Sequence, residues 1–204
     1  MLPNCKNAGV SLTNVDFKIH QTNDCWVRDN GPIFVRNSSN QLRIEDWGFN
    51  GWGNKAPYKK DDIIPKSVGT DIGITVVDLN ASLKVEGGAM DIDGNGTFMA
   101  TKTSILNSNR NPGITQAQAE AILTQNIGVT KFNWLDGAVS AGDITDMHID
   151  GFAKFANANT IVTMDSLDLW YWYLSPTDIT KLYTSTNKNG VKYNFVYLPL
   201  TQMM

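Results

Sequence analysis

Val85-Glu86-Gly87-Gly88-Ala89-Met90-Asp91-Ile92-Asp93-Gly94-Asn95-Gly96-Thr97-Phe98-Met99-Ala100-Thr101 reads as two strands folded back on each other around a glycine turn. Downstream, Thr115-Gln116-Ala117-Gln118 has the spacing of a capping box, Ala119 to Gln125 continues a helix, and Gly128 is its natural stop. Thr130 to Leu135 returns as a strand. The same order recurs over residues 148–198. His148 to Phe155 and Thr160 to Met164 pair around Ala156-Asn157-Ala158-Asn159, Ser175-Pro176 opens a helix to about Thr184, and Val191 to Leu198 closes the block. The offset of about 60 residues is longer than the usual short-repeat periods. The pattern predicts an α/β architecture of similar blades rather than a doubly wound sheet.

Working back towards the N-terminus, Ile74 to Leu79 is a buried-type strand. Residues 50–73 read as a long loop with a short helix near Lys59 to Ile64, and loops of that length are often functional. Ile33-Phe34-Val35-Arg36 and Leu42-Arg43-Ile44-Glu45 flank Asn37-Ser38-Ser39-Asn40 as a hairpin. Asn23 to Pro32 is a polar loop closed by Gly-Pro, and Val15 to Ile19 a short strand.

At 204 residues, 42% apolar and 18% charged, the chain is one domain or part of one. A net charge of −3 without a basic run argues against nucleic acid or an anionic membrane as partner. No apolar run is long enough to span a bilayer, and Met1 to Cys5 is not a signal peptide. Cys5 and Cys25 make no disulfide framework, which together predicts a cytoplasmic protein.

Three acid-bearing loops lie at strand ends, centred on Asp29, on Glu86 and on Gly142-Asp143-Ile144-Thr145-Asp146-Met147-His148-Ile149-Asp150. An extended chain after Thr145 would set His148 and Asp150 side by side on one face. Buried carboxylates that converge imply a cation, whether metal, basic side chain or cationic substrate. A guanidinium, planar with a fork of donors, suits two opposed carboxylates.

These motifs resemble the agmatine deiminase and bacterial peptidylarginine deiminase family of the guanidine-modifying superfamily. The resemblance rests on Asp24-x-Trp26-x-Arg28-Asp29-x-Gly31-Pro32, Phe49-Asn50-Gly51-Trp52-Gly53, Glu86-Gly87-Gly88, Asn109-Arg110-Asn111-Pro112 and Gly142-Asp143-x-Thr145-Asp146-x-His148-Ile149-Asp150, in order across nearly the whole chain. It implies a five-bladed α/β propeller, of which residues 1–204 would be roughly the middle blades and one incomplete deiminase domain. It also implies hydrolysis of agmatine or an arginine derivative to a ureido product and ammonia, as in putrescine biosynthesis, with no cofactor and no metal. Asp29 and Asp150 would grip the guanidinium, His148 would act as general acid and base, Glu86 would support them, and Trp26 would pack along the substrate stem. The family's nucleophilic cysteine lies in a glycine-rich C-terminal stretch that nothing here matches. The chain is therefore expected to be inactive alone, with open strand edges that favour homo-oligomers. The alternatives are a non-catalytic guanidinium-binding paralogue and a metal-dependent hydrolase using the same four residues, for which a single histidine is a poor zinc set.

The remaining residues receive plainer expectations. Cys25 reads as a small buried thiol, Arg110 as a turn stabiliser, Asp143 and Asp146 as loop-positioning groups, and His20 as a strand-end residue. Asp91-x-Asp93-Gly94-Asn95-Gly96 is a hairpin turn rather than a calcium loop. Trp170-Tyr171-Trp172-Tyr173 reads as a blade-packing segment. Gly51-Trp52-Gly53 offers no arginine for a substrate carboxylate, which leans towards agmatine, and Asp61 and Asp62 are candidates to attract its amine.

Overall fold

The computed structural model describes residues 7–9, 11–13, 15–140 and 142–200. Its strands are β1 (Ile33–Arg36), β2 (Leu42–Asp46), β3 (Val76–Asp78), β4 (Met90–Ile92), β5 (Thr97–Thr101), β6 (Lys131–Leu135), β7 (Ala153–Asn157), β8 (Thr160–Thr163) and β9 (Asn194–Tyr197). They sort into three three-stranded sheets, β1-β2-β3, β4-β5-β6 and β7-β8-β9. In each sheet the first two strands are an antiparallel hairpin and the third lies parallel to the second. A parallel partner requires a crossover, and here helices supply it. Ile64–Ile72 serves the first sheet, Gln116–Ile127 the second, and Ser166–Tyr171 with Pro176–Tyr183 the third. The hairpin–helix–strand unit thus occurs three times, with residues 33–78 as a copy that the sequence pattern did not single out.

Local chemistry sets the helix ends. Thr115 Oγ1 accepts from Gln118 N at 3.3 Å while Gln118 Oε1 accepts from Thr115 N at 2.9 Å, a complete capping box. Gly128 ends that helix in the left-handed region at φ 71°. Ser175 caps the Pro176–Tyr183 helix through Asp178 N at 3.1 Å, with Pro176 in the first turn.

Strand β5 is buried along its whole length and joins two cores. Phe98 and Ala100 enter a cluster with Trp47, Leu83, Met90 and Leu123, whereas Met99 faces Ile149, Ile161 and Leu182 on the other side. The period-two alternation of a strand makes one strand serve both. Each fully buried side chain of this size contributes roughly 1.5–3 kcal/mol, so β5 ties the second sheet to the first and the third. Among the described residues no helix is long and apolar enough to cross a membrane.

Several expectations are corrected. Val15–Ile19 forms no strand, because no partner strand lies beside it among the described residues and Ile19 is 93% exposed. Residues 50–73 are not a loop with a helix near Lys59. Turns fill 59–63, and a nine-residue helix starts at Ile64 with Pro65 in its first turn and stops at Gly73, φ 68°. Strand β3 is half-buried rather than core. Residues 87–89 are a 3-10 turn, so the second hairpin starts only at Met90. The polar segment before Pro32 is not wholly loop, since Val27–Asn30 closes a helical turn through Asp29 N and Asn30 N to Trp26 O. Cys25 is exposed, not buried. Cys5 lies outside the described residues.

Candidate active site

The helical turn Val27–Asn30 presents Asp29 towards the Glu86-Gly87-Gly88 turn. Asp29 Oδ1 accepts from Gly88 N at 3.1 Å, and Asp29 Oδ2 accepts from Trp52 Nε1 at 2.9 Å. Trp52 sits at φ 54°, a region that non-glycine residues rarely occupy. Its ring is wedged edge-on against Phe49 at 5.0 Å, so the indole that steers Asp29 is itself fixed.

His148 does not lie on a strand. Asp146 and Met147 before it take φ 59° and 68°, and Ile149–Gly151 after it is a 3-10 turn. Two consecutive left-handed residues are costly, and such strain persists where surrounding bonds over-determine it. Here they do. Asp143 accepts from Thr145 N and Met147 N at 2.8 Å each. Thr103 Oγ1 donates to Asp146 O, Thr101 Oγ1 to Met147 O, and Arg110 Nη2 to Thr145 O. The loop is fastened from Thr101 on strand β5, from Thr103 on the short helix Lys102–Ile105 and from the turn that carries Arg110, which is why alternation failed to describe it.

This loop nevertheless brings His148 and Asp150 to the same place as Asp29. A methyl group built on Gly88 would lie 2.6 Å from Asp29 Oδ1, 2.6 Å from His148 Nδ1 and 2.8 Å from Asp150 Oδ2. Three side chains from two loops therefore converge on one point, and only glycine leaves it open. On its other edge, His148 Nε2 is 2.9 Å from Glu86 Oε2. Four of the sequence candidates, Asp29, Glu86, His148 and Asp150, thus form one cluster. The fifth, Trp26, is 57% exposed on the wall of the cavity above it.

That cavity measures about 1000 Å³, with Asp29, His148 and Asp150 in its wall beside Trp26, Trp172 and Tyr173. The aromatic segment Trp170–Tyr173, expected to pack a blade, is exposed in this chain. Tyr173 is 84% exposed, and both Trp172 and Tyr173 face the cavity. Asp150 is 30% exposed at its side chain and has Arg28 Nε 3.8 Å away. Burial raises its pKa, the Asp29 charge adds to this, and His148 and Arg28 offset only part of it.

Sequence reasoning missed Arg110. Its side chain is fully buried. Nε donates to both Glu86 oxygens at 2.9 and 2.8 Å, and Nη1 donates to Asp146. Asp146 also accepts from Lys55 Nζ at 2.7 Å and Asn109 Nδ2 at 3.2 Å. Burial would push Asp146 up, but hydrogen bonds from Lys55, Arg110 and Asn109 outweigh it and hold its pKa below the usual range. In the sequence Arg110 stands in a polar Asn-Arg-Asn-Pro turn, and its partners Glu86 and Asp146 lie 24 and 36 residues away, so nothing local pairs them.

Asp61 and Asp62 lie outside the wall of that cavity, and each spends one carboxylate oxygen on backbone. Asp61 Oδ1 accepts from Asn23 N and Asp24 N, and Asp62 Oδ1 from Phe49 N. His20 pairs with Asp71 at 2.7 Å. Among the described residues no group of three or more His, Cys, Asp or Glu side chains has an arrangement fit for a metal.

Residues 3–204 match the family profile described as Porphyromonas-type peptidyl-arginine deiminase. A Shewanella frigidimarina protein assigned as an agmatine deiminase is 40% identical over 160 residues, covering 76% of this chain and 41% of the relative. The agmatine deiminase of Enterococcus faecalis superposes with a TM-score of 0.83 at 25% identity, over 97% of this chain and 55% of that one. A cysteine-to-serine form of C. jejuni agmatine deiminase, solved with substrate bound, superposes with a TM-score of 0.77 at 28% identity, over 99% of this chain and 59% of that one. The chain spans about half the length of the curated relatives it matches.

Proposed function

Because the chain belongs to the Porphyromonas-type peptidyl-arginine deiminase family, we propose that its carboxylate-lined cavity is the guanidinium-binding part of a guanidine deiminase. The substrate is agmatine or another arginine derivative, and the products are a ureido compound and ammonia. In this reading the three sheets are middle blades of a five-bladed α/β propeller, and residues 1–204 are one incomplete deiminase domain.

One observation carries the proposal, the convergence of Asp29 Oδ1, Asp150 Oδ2 and His148 Nδ1 over Gly88. A guanidinium presents N–H donors along each edge of a plane, so two carboxylates from different loops take one edge each. Trp26, Trp172 and Tyr173 wall the apolar stem. A thiolate attacks the guanidinium carbon, and His148 protonates the departing ammonia, leaving a covalent thiouronium. His148 then takes a proton from water, the water oxygen becomes the ureido oxygen, and the thiolate leaves. The thiol comes from beyond the described residues, since exposed Cys25 does not line the cavity. The C. jejuni relative, with substrate bound in a cysteine-to-serine form, is in keeping with thiol chemistry. With Asp61 and Asp62 used as backbone caps, the lean towards agmatine rests on the lack of arginine at 51–53.

The test is calorimetric titration of the chain with agmatine, beside an ammonia assay. Agmatine binds with and without EDTA, Asp150→Asn weakens it at least tenfold, and no ammonia is released. Unchanged affinity in Asp150→Asn refutes the clamp, and loss of binding in EDTA refutes it in favour of a metal site. A form extended past residue 204 separates the enzyme from a non-catalytic guanidinium binder. The enzyme releases ammonia and loses this in His148→Ala, whereas the binder releases none.

A further inference from the structure

We infer that Arg110 is a positioning residue that fixes the tautomer of His148, so that Nδ1 is the nitrogen free to move a proton. The site's role in deamination rests on the reading above, but the tautomer does not. His148 has two ring nitrogens and two neighbours. Nε2 lies 2.9 Å from Glu86 Oε2, and Nδ1 lies 3.5 Å from Asp29 Oδ1. Distance alone leaves both tautomers open, since a carboxylate accepts from whichever nitrogen carries the proton.

Arg110 breaks this symmetry. Its guanidinium does not deprotonate, has no exposed surface, and places Nε against both oxygens of Glu86. Glu86 is held in a fixed plane with Oε2 turned to His148 at 2.9 Å, whereas Asp29 Oδ1, 3.5 Å from Nδ1, already accepts from Gly88 N. Nε2 therefore carries the hydrogen and donates, and the Nδ1 lone pair is left facing the point over Gly88 where Asp29 and Asp150 meet. The anchorage continues behind Arg110. Nη1 reaches Asp146, Nη2 reaches Thr145 O, and Asp146 is tied to Lys55. The same guanidinium thus fixes both the acceptor of the imidazole and the strained loop that carries it. Asp143, the other acid beside His148, is spent on Thr145 and Met147 backbone amides and does not compete for the ring.

Long-range proton–nitrogen correlation spectra of the imidazoles, recorded on the chain at alkaline pH, read the tautomer directly. The wild type shows a pyrrole-type Nε2 and a pyridine-type Nδ1. Glu86→Gln inverts them, because Arg110 claims the amide oxygen and turns the NH2 group towards Nε2, which then has to accept. In the double variant Glu86→Gln/Arg110→Met the amide is free to turn and both tautomers appear. Arg110→Lys, which keeps a cation on Glu86, retains the wild-type pattern. A wild type protonated on Nδ1, or a Glu86→Gln spectrum unchanged from wild type, overturns the inference. The readout needs no substrate, so a wrong tautomer with intact agmatine binding leaves the functional proposal standing, and the converse holds as well.

Discussion

Asp146 and Asp150 stand four residues apart on one loop, and their surroundings could hardly differ more. Asp146 is fully buried, yet Lys55, Arg110 and Asn109 bond it and hold its pKa below the usual value. Asp150 is part-exposed, has among the described residues only Arg28 at ion-pair distance, 3.8 Å, and is raised by burial and by the charge of Asp29. The back of the site is electrostatically finished, with cations of its own. The front is an excess of negative charge around a gap that glycine keeps clear. A buried anion with its partners in place is a scaffold, whereas one without them is an acceptor awaiting a cation.

The contrast breaks hardest at Arg110. Arg110→Met strips the guanidinium from two buried carboxylates at once, and removing one partner of a buried pair costs about 3–5 kcal/mol. Urea denaturation should show a loss of that order. A loss under about 1 kcal/mol, the range of an exposed pair, would mean that the back is not the scaffold it appears from its bonds. Next in size is Gly88→Ala. Its methyl meets Asp29, His148 and Asp150 at under 3 Å, so these side chains are forced apart. The fold should lose about 1–3 kcal/mol, the usual range for overpacking, while agmatine affinity falls at least a hundredfold. Retained affinity would place the guanidinium elsewhere.

The two halves of the site also differ in how far the sequence revealed them. That Asp29, Glu86, His148 and Asp150 belong together was readable because they stand in short acid-bearing motifs that resemble those of a known family. The helix ends were legible because Thr115, Gln118, Gly128 and Ser175 act on backbone within a turn of themselves. The back was not, since Arg110 reads as a turn residue until folding brings Glu86 and Asp146 to it. The backbone at His148 was misjudged for the same reason. Alternation assumes a chain free to extend, but Thr101, Thr103 and Arg110 bond the carbonyls of residues 145–147 and hold Asp146 and Met147 in left-handed geometry. The aromatic run Trp170–Tyr173 was read as blade packing because composition reports apolarity and not which neighbours cover it, and in this chain it is exposed beside the cavity.

Acid titration gives the smallest effect and the finest separation of the two aspartates. Asp146 has its folded pKa below the ordinary 3.8. Its stabilisation is complete above 3.8 and is lost only as the pH falls through the lower, folded value. Asp150 has its folded pKa above 3.8, so between 3.8 and that raised value the folded chain binds a proton that the unfolded chain does not. In that window stability rises as the pH falls, and Glu45 and Asp46, also raised by burial, add the same sign. A guanidinium needs Asp150 ionised. On acidification agmatine affinity should therefore fall first, above pH 3.8, while the fold is held or slightly strengthened, and unfolding should follow only below it. Subtracting the stability profile of Asp150→Asn from that of the wild type isolates the share due to Asp150, a small negative slope with pH confined to the same window. If affinity and stability instead decline together at one pH, the front and the back are a single electrostatic unit, and the division between scaffold and acceptor fails.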